Sequence, residues 1–167
     1  MSFAGARNRR LPQMTADTPP LANPSSYRLA STTKTLLDCF YDVYHELGSG
    51  FLEAVYANAF AISMTHRAVP FRRELLIPVF FRGVVVGTYK ADFLVANEII
   101  VELKAAQTID RVHVAQLVNY LRGSTLELGF VFNFGPKPSY RRMILSNQRK
   151  TGLRPSAAIC GSSTLAP

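Results

Sequence analysis

Apolar positions recur every three or four residues through Leu36, Leu37, Phe40, Val43, Tyr44 and Leu47, the period of a helix that buries one face. Ser31, Thr32 and Thr33 precede that run and offer it an N-cap, and Gly48 and Gly50 end or kink it. A second helix is expected over about residues 51–66, with Leu52, Val55, Ala59 and Phe60 on its apolar face. The pattern then turns to short runs rich in β-branched and aromatic residues. ELLIPVFF and VVVGTYKADFLV flank Arg82-Gly83 and predict a β-hairpin about that turn. Pro78 cannot donate to a ladder and marks an edge strand, while Gly87 marks a bulge or a close backbone approach. Asn97-Glu98 makes a second turn, into the short strand EIIVELK. A helix over about 110–122 follows, from Asp110 to a stop at Gly123. LELGFVFNF (126–134) then reads as a strand and SYRRMIL (139–145) as another.

The predicted order is therefore α-α-β-β-β-α-β-β. A three-strand meander, a crossover helix and a returning strand predict an α/β fold, a mixed central sheet flanked by helices. Residues 1–30 are rich in Pro, Ser, Thr, Asn and Arg and lack any period, as do residues 149–167. They are expected to be a disordered basic N-terminal tail and a flexible C-terminal tail around a domain at 31–148.

ADFLVANEIIVELKA, residues 91–105, is a strand-like apolar run interrupted by Asp92, Glu102 and Lys104. Side chains two apart share a strand face, so Lys90, Asp92 and Leu94 align on one strand and Ile100, Glu102 and Lys104 on the next. A tight turn between the strands lets Asp92 and Glu102 sit side by side. Buried charge is costly unless it is paired or holds a metal. One reading is a solvent-facing acid pair with Lys104 as its partner, a common and weak surface feature. The other is a site. Two such carboxylates repel unless a cation intervenes, and oxygen ligands suit Mg²⁺ or Mn²⁺, which combine one or two carboxylates with waters and a substrate phosphate. Lys104 could then orient a water or steady charge developing on the phosphate. Metal-assisted phosphodiester hydrolysis needs that set.

Composition narrows the classes. The chain has 167 residues, enough for one domain with a core, and 48% are hydrophobic. No apolar run is long enough to span a membrane, and the N-terminus lacks the apolar centre of a signal peptide. Two cysteines, Cys39 and Cys160, make neither a disulfide framework nor a zinc site, which points to a reducing, cytoplasmic location. Neither GxxxxGK[ST] nor GxGxxG is present, and His45, His66 and His113 have no metal spacing. The net charge of +8 divides as +3 over residues 1–30, −1 over 31–134 and +6 over 135–167. Basic flanks can solubilise a domain or attract a polyanion such as nucleic acid.

Asp92, nine intervening residues and Glu102-Leu103-Lys104 resemble the D…ExK signature of the PD-(D/E)XK nuclease superfamily, with Ala91 where that family usually has proline. Gly50-Phe51-Leu52-Glu53-Ala54-Val55-Tyr56 resembles the motif that names its GxxExxY group. Gln116-Leu117-Val118-Asn119-Tyr120 is similar to the QxxxY of exonuclease-like members. The resemblance implies a restriction-endonuclease-like αβββαβ core and a Mg²⁺- or Mn²⁺-dependent nuclease acting on DNA rather than RNA. It implies that Asp92 and Glu102 hold the metal with the backbone carbonyl of Leu103, and that Glu53 adds a carboxylate. Lys104 would position or activate the attacking water, and Gln116 would orient substrate or Lys104. Tyr120 would contact the substrate backbone; Tyr56 would do so too or simply pack on the sheet. Arg141 and Arg142, with Arg149 and Lys150, would grip phosphates. The alternative is a catalytically inactive module on the same fold, binding nucleic acid or docking a partner through Val79, Phe80, Phe81, Val84 and Val85. A homodimer is compatible with all of these readings.

Overall fold

A computed structural model describes residues 24–150, with side chains from Leu29 onward. Helix α1 (Pro24–Leu47) begins seven residues before the expected cap. Pro24 fills the first helical position, where a missing N–H costs nothing. Leu29 lies two turns before Leu36 and packs against the same core, which extends the apolar stripe backward. Ser31, Thr32 and Thr33 are thus interior residues, not caps, and the Thr35 hydroxyl bonds back to the Ser31 carbonyl at 3.1 Å. The remainder of the expected tails, 1–23 and 151–167, lies outside the described residues.

Helix α2 (Glu53–His66) buries Tyr56, Phe60, Ala61 and Met64. Leu52 and Val55, expected on that face, are exposed instead. Strands β1 (Phe71–Phe81) and β2 (Val84–Val95) form the expected hairpin. Arg82 and Gly83 both have positive φ, 51° and 85°, the two-residue turn whose twist matches that of the strands. Val79 pairs with Gly87 and Phe80 with Val85, so Val86 is the extra residue of a β-bulge at the predicted place.

Strand β3 (Ile99–Lys104) runs antiparallel to β2 after a short loop at residues 96–98. Helix α3 (Arg111–Arg122) crosses the sheet so that β4 (Leu128–Asn133) returns parallel to β3. Strand β5 (Ser139–Ile144) pairs antiparallel with β4, and a short 3-10 turn follows at Asn147–Arg149. The sheet order is β1-β2-β3-β4-β5, with β1 and its Pro78 on the edge. The α3 start uses a capping box: His113 Nδ1 accepts the Asp110 N–H at 3.1 Å, which gives His113 a structural task.

Two apolar layers hold the sheet. On one face α1 and α2 cover Phe93, Val101, Leu103, Phe130 and Phe132. On the other, Leu117, Tyr120 and Leu121 of α3 cover Leu94, Ile100 and Val131. Strands β3 and β4 are buried on both faces, which accounts for their nearly unbroken apolar sequence. Glu102, Lys104 and Asn133 are the polar residues that break it. Among the described residues no helix is long and apolar enough to cross a membrane.

Candidate active site

The β2–β3 ladder pairs Val95 with Ile99, Leu94 with Ile100 and Phe93 with Val101, and ends there. Continuing that register sets Asp92 against Glu102. A side chain now replaces the backbone partner: the Leu103 N–H donates to Asp92 Oδ2 at 2.7 Å. This bond fixes the first acid and ties it to the peptide that follows the second. Glu102 is 3% exposed. Its Oε1 accepts a hydrogen bond from Lys104 Nζ at 2.8 Å, while its buried Oε2 has no partner among the described residues. A buried carboxylate oxygen left unpaired is costly.

The electrostatics agree. Burial, then the Asp92 charge, pushes the Glu102 carboxyl up to about 7, against a partial pull from Lys104. Burial also raises Asp92, opposed by the Leu103 hydrogen bond and the Lys104 charge. Burial alone would lower Lys104, but Glu102, Glu53 and Asp92 outweigh it and hold the ammonium above its ordinary range. The ion pair is therefore too little compensation for two acids. Perturbation of this kind is characteristic of functional sites.

Glu53 opens α2 and accepts the Ala105 N–H at 3.4 Å, immediately after Lys104, so the helix start reaches the end of β3. Its charge is felt by both Asp92 and Lys104. Gln116 stands on α3 and donates to the Tyr120 hydroxyl, one turn on. Tyr120 itself is 2% exposed and donates to the Lys90 carbonyl at 3.1 Å. Burial and the Glu102 charge push its phenol up to about 12. Its hydroxyl buttresses Gln116 and the strand carrying Asp92.

Tyr56 packs in the core, the second of its two expected roles. Its ring is fully buried, stacked on Phe134 at 4.4 Å. Its hydroxyl donates to the Gly48 carbonyl at 2.9 Å and accepts the Phe51 N–H at 3.2 Å, closing the loop that delivers Glu53. The two arginines separate. Arg141 pairs with Val131 and shares the α3 face with Glu102, whereas Arg142 falls on the opposite face beside Tyr140, whose ring lies against Phe130 and Phe132. Arg142 therefore does not share the face of the acids. Lys150 is also occupied, donating to the carbonyls of Ser124 at 2.9 Å and Leu126 at 2.6 Å.

One part of the site was not anticipated. Asn133 is fully buried and clamps Ala106 with both ends of its amide: Oδ1 accepts the Ala106 N–H and Nδ2 donates to the Ala106 carbonyl, each at 2.9 Å. The Phe134 N–H donates to the Lys104 carbonyl at 2.7 Å. A Cβ on Gly135 would stand 1.9 Å from the Ala106 oxygen, so only glycine permits this approach. Asn133, Phe134 and Gly135 form a strap that fixes the backbone following Lys104. An asparagine inside the apolar run FVFNF is the signal that could have revealed it. Asn133→Ala is expected to lower turnover at least tenfold per folded molecule, because Lys104 is freed to wander from its position. Stability should fall by about 1–3 kcal/mol from the unpaired Ala106 groups. Steady-state cleavage kinetics alongside urea unfolding would check both.

A sequence model of the PD-(D/E)XK nuclease superfamily matches residues 30–143, more than half of the chain. No curated protein matches it. Among solved structures, the crystal structure of SSO0001 is similar at 18% identity with a TM-score of 0.43, over 74% of this chain and 62% of that one. This chain thus spans less than two thirds of that solved chain. The family match runs from the early turns of α1 into β5 and includes the acids, the lysine and all but the last residue of the five-stranded sheet. The mixed sheet with helices on both faces is the restriction-endonuclease-like arrangement, and the chain belongs to the PD-(D/E)XK nuclease superfamily.

Proposed function

We propose that the protein is a Mg²⁺- or Mn²⁺-dependent nuclease of the GxxExxY group that hydrolyses phosphodiester bonds of DNA. The observation that carries this reading is the unpartnered, buried Oε2 of Glu102 beside a second desolvated carboxylate. Among the described residues no three His, Cys, Asp or Glu side chains gather closely enough to cage a metal. Two carboxylates completed by waters and a substrate phosphate are how Mg²⁺ is usually held, so the donor set fits. Asp92 and Glu102 would be the ligands, with the Leu103 carbonyl, and Glu53 would support them from the α2 start. When bound, the ion supplies a Lewis acid and makes water a better nucleophile.

The chain's own groups do the rest. Lys104 leaves its place on Glu102 Oε1 to hold the attacking water and offset charge on the scissile phosphate. Gln116, steadied by Tyr120, orients the phosphate or the lysine. Arg141 shares the acids' face and is placed to meet the phosphate backbone. DNA as substrate rests on the family resemblance. A cytoplasmic setting rests on the buried free thiol of Cys39, which needs no oxidising compartment.

The test is cleavage of labelled single-stranded, double-stranded and branched DNA, with RNA as a parallel arm, in Mn²⁺ and in chelator. Metal-dependent cutting of DNA, reduced at least a hundredfold in Lys104→Ala, is the expected result. Binding without cutting under any metal would establish an inactive module instead.

A further inference from the structure

Among the described residues five other than glycine have positive φ, and four of them, Ala68, Arg82, Ala96 and Asn97, lie in turns. The fifth, Glu74, has φ 55° inside strand β1. A residue with a Cβ is strained in that region, and a regular strand never calls for it. The Glu74 carboxylate gives no reason for the strain. It is exposed and pairs with the exposed Lys90 at 3.1 Å, a surface ion pair of little worth. The reason lies in the strand opposite. β1 and β2 pair Arg73 with Phe93 and Leu75 with Ala91, so Glu74 stands across from Asp92. Period two should keep residues 73 and 75 on one face, and 91 and 93 likewise. It does not. Phe93 belongs to the α1–α2 layer, and Arg73 lies over its ring at 5.6 Å and donates to Asn58 of α2 at 2.9 Å. Leu75 and Ala91 belong to the α3 layer. Both strands therefore change face across one matched pair, Glu74 and Asp92. Lys90 and Leu94 end on opposite faces, contrary to the simple alternation expected of them.

We propose that Glu74 is a positioning residue of the site, and that its left-handed backbone makes the crossover that aims the Asp92 carboxylate. The Leu103 N–H points along the sheet toward β2, so its acceptor, Asp92 Oδ2 at 2.7 Å, lies between the two strands and not on a face. A regular β1 would hold β2 regular beside it, and Asp92 would then turn out with Leu94 toward α3. Strain of this kind persists only where the surroundings over-determine it, and it gathers at functional sites. Here Arg73 and Leu75 are anchored in opposite layers and force the turn between them. The inference rests on the reading of Asp92 as a metal ligand. Exchange of the Leu103 amide reports the aim of Asp92 without metal or substrate, so the two can fail separately.

A series at position 74 in the full chain separates backbone from charge. Glu74→Gly and Glu74→Asn accept positive φ, Glu74→Gln removes only the charge, and Glu74→Val resists the left-handed region most. Hydrogen exchange of the Leu103 amide, Mn²⁺ affinity by calorimetry and cleavage kinetics are read for each. The Gly, Asn and Gln variants should match the wild type in all three, with Glu74→Gly melting at or above the wild-type temperature. Glu74→Val should exchange the Leu103 amide about tenfold faster, and lose about tenfold in Mn²⁺ affinity and in kcat with KM unchanged. Glu74→Ala should move the same way by less, and it carries the test if Glu74→Val does not fold. Leu103 exchange that neither Val nor Ala moves overturns the proposal. So does a Gln variant that loses as much as Val, which would assign the role to the charge, or a Gly variant that loses Leu103 protection. A wild type that neither binds Mn²⁺ nor cuts refutes the nuclease reading, and Leu103 exchange still decides this one.

Discussion

Replacing Asp92 by asparagine is expected to abolish metal-dependent cleavage while leaving the fold standing. Asparagine keeps a carbonyl oxygen able to accept the Leu103 N–H, so the 2.7 Å bond that ends the β2–β3 ladder survives. The variant also removes a carboxylate that burial already disfavours, since the Asp92 carboxyl is raised by desolvation. Folding stability should therefore be equal or slightly higher. What disappears is half of the negative charge that holds a divalent ion, and with it several kcal/mol of stabilisation of the reacting phosphate, or about a thousandfold in rate. Parallel assays of cleavage and thermal unfolding test both halves. Cleavage that persists in Asp92→Asn with its metal dependence intact would refute Asp92 as a ligand.

Glu102→Gln is expected to make the metal-free protein more stable at neutral and alkaline pH, and to inactivate it. The folded Glu102 carboxyl is raised from 4.5 to about 7, chiefly by burial and then by the Asp92 charge. A group raised in this way favours folding in its protonated form. Its contribution is complete below about 4.5, and it is lost as pH climbs through about 7. Between those limits the metal-free wild type should lose on the order of 3 kcal/mol. Glutamine mimics the protonated acid and should flatten that slope. Mn²⁺ should act oppositely on the wild type, raising the melting temperature strongly above pH 7 and little at pH 5, because only the ionised carboxylates bind it. Melting curves across pH, with and without Mn²⁺, measure all of this. A wild-type stability that rises from pH 5 to 8 without metal would overturn the account.

Much of this molecule was legible from residue order, and what was hidden has physical reasons. Period two placed Asp92, Glu102 and Lys104 together because a short hairpin leaves few registers for its strands. The Arg82-Gly83 turn and the bulge beside Gly87 were readable because backbone chemistry there is local. The resemblance implied a substrate contact for Tyr120 and left Tyr56 between that and packing on the sheet; each spends its hydroxyl on a backbone carbonyl of the chain. Sequence does not state where a phenol finds its partner. Arg141 and Arg142 looked alike until the β4–β5 register assigned them to opposite faces. The Asn133 clamp joins residues 27 positions apart across a parallel strand pair, which no local pattern encodes.

That same parallel pairing orders events in time. The acids and the lysine lie within thirteen residues, on strands joined by a short loop, so they meet by fast local closure. Strand β4 reaches β3 only after the chain has traversed α3, a nonlocal step that is intrinsically slower. During folding, then, the two carboxylates converge before the strap arrives to hold the backbone behind them. The nascent site thus passes through a period in which Lys104 alone offsets the two carboxylates, before the strap fixes the backbone behind them.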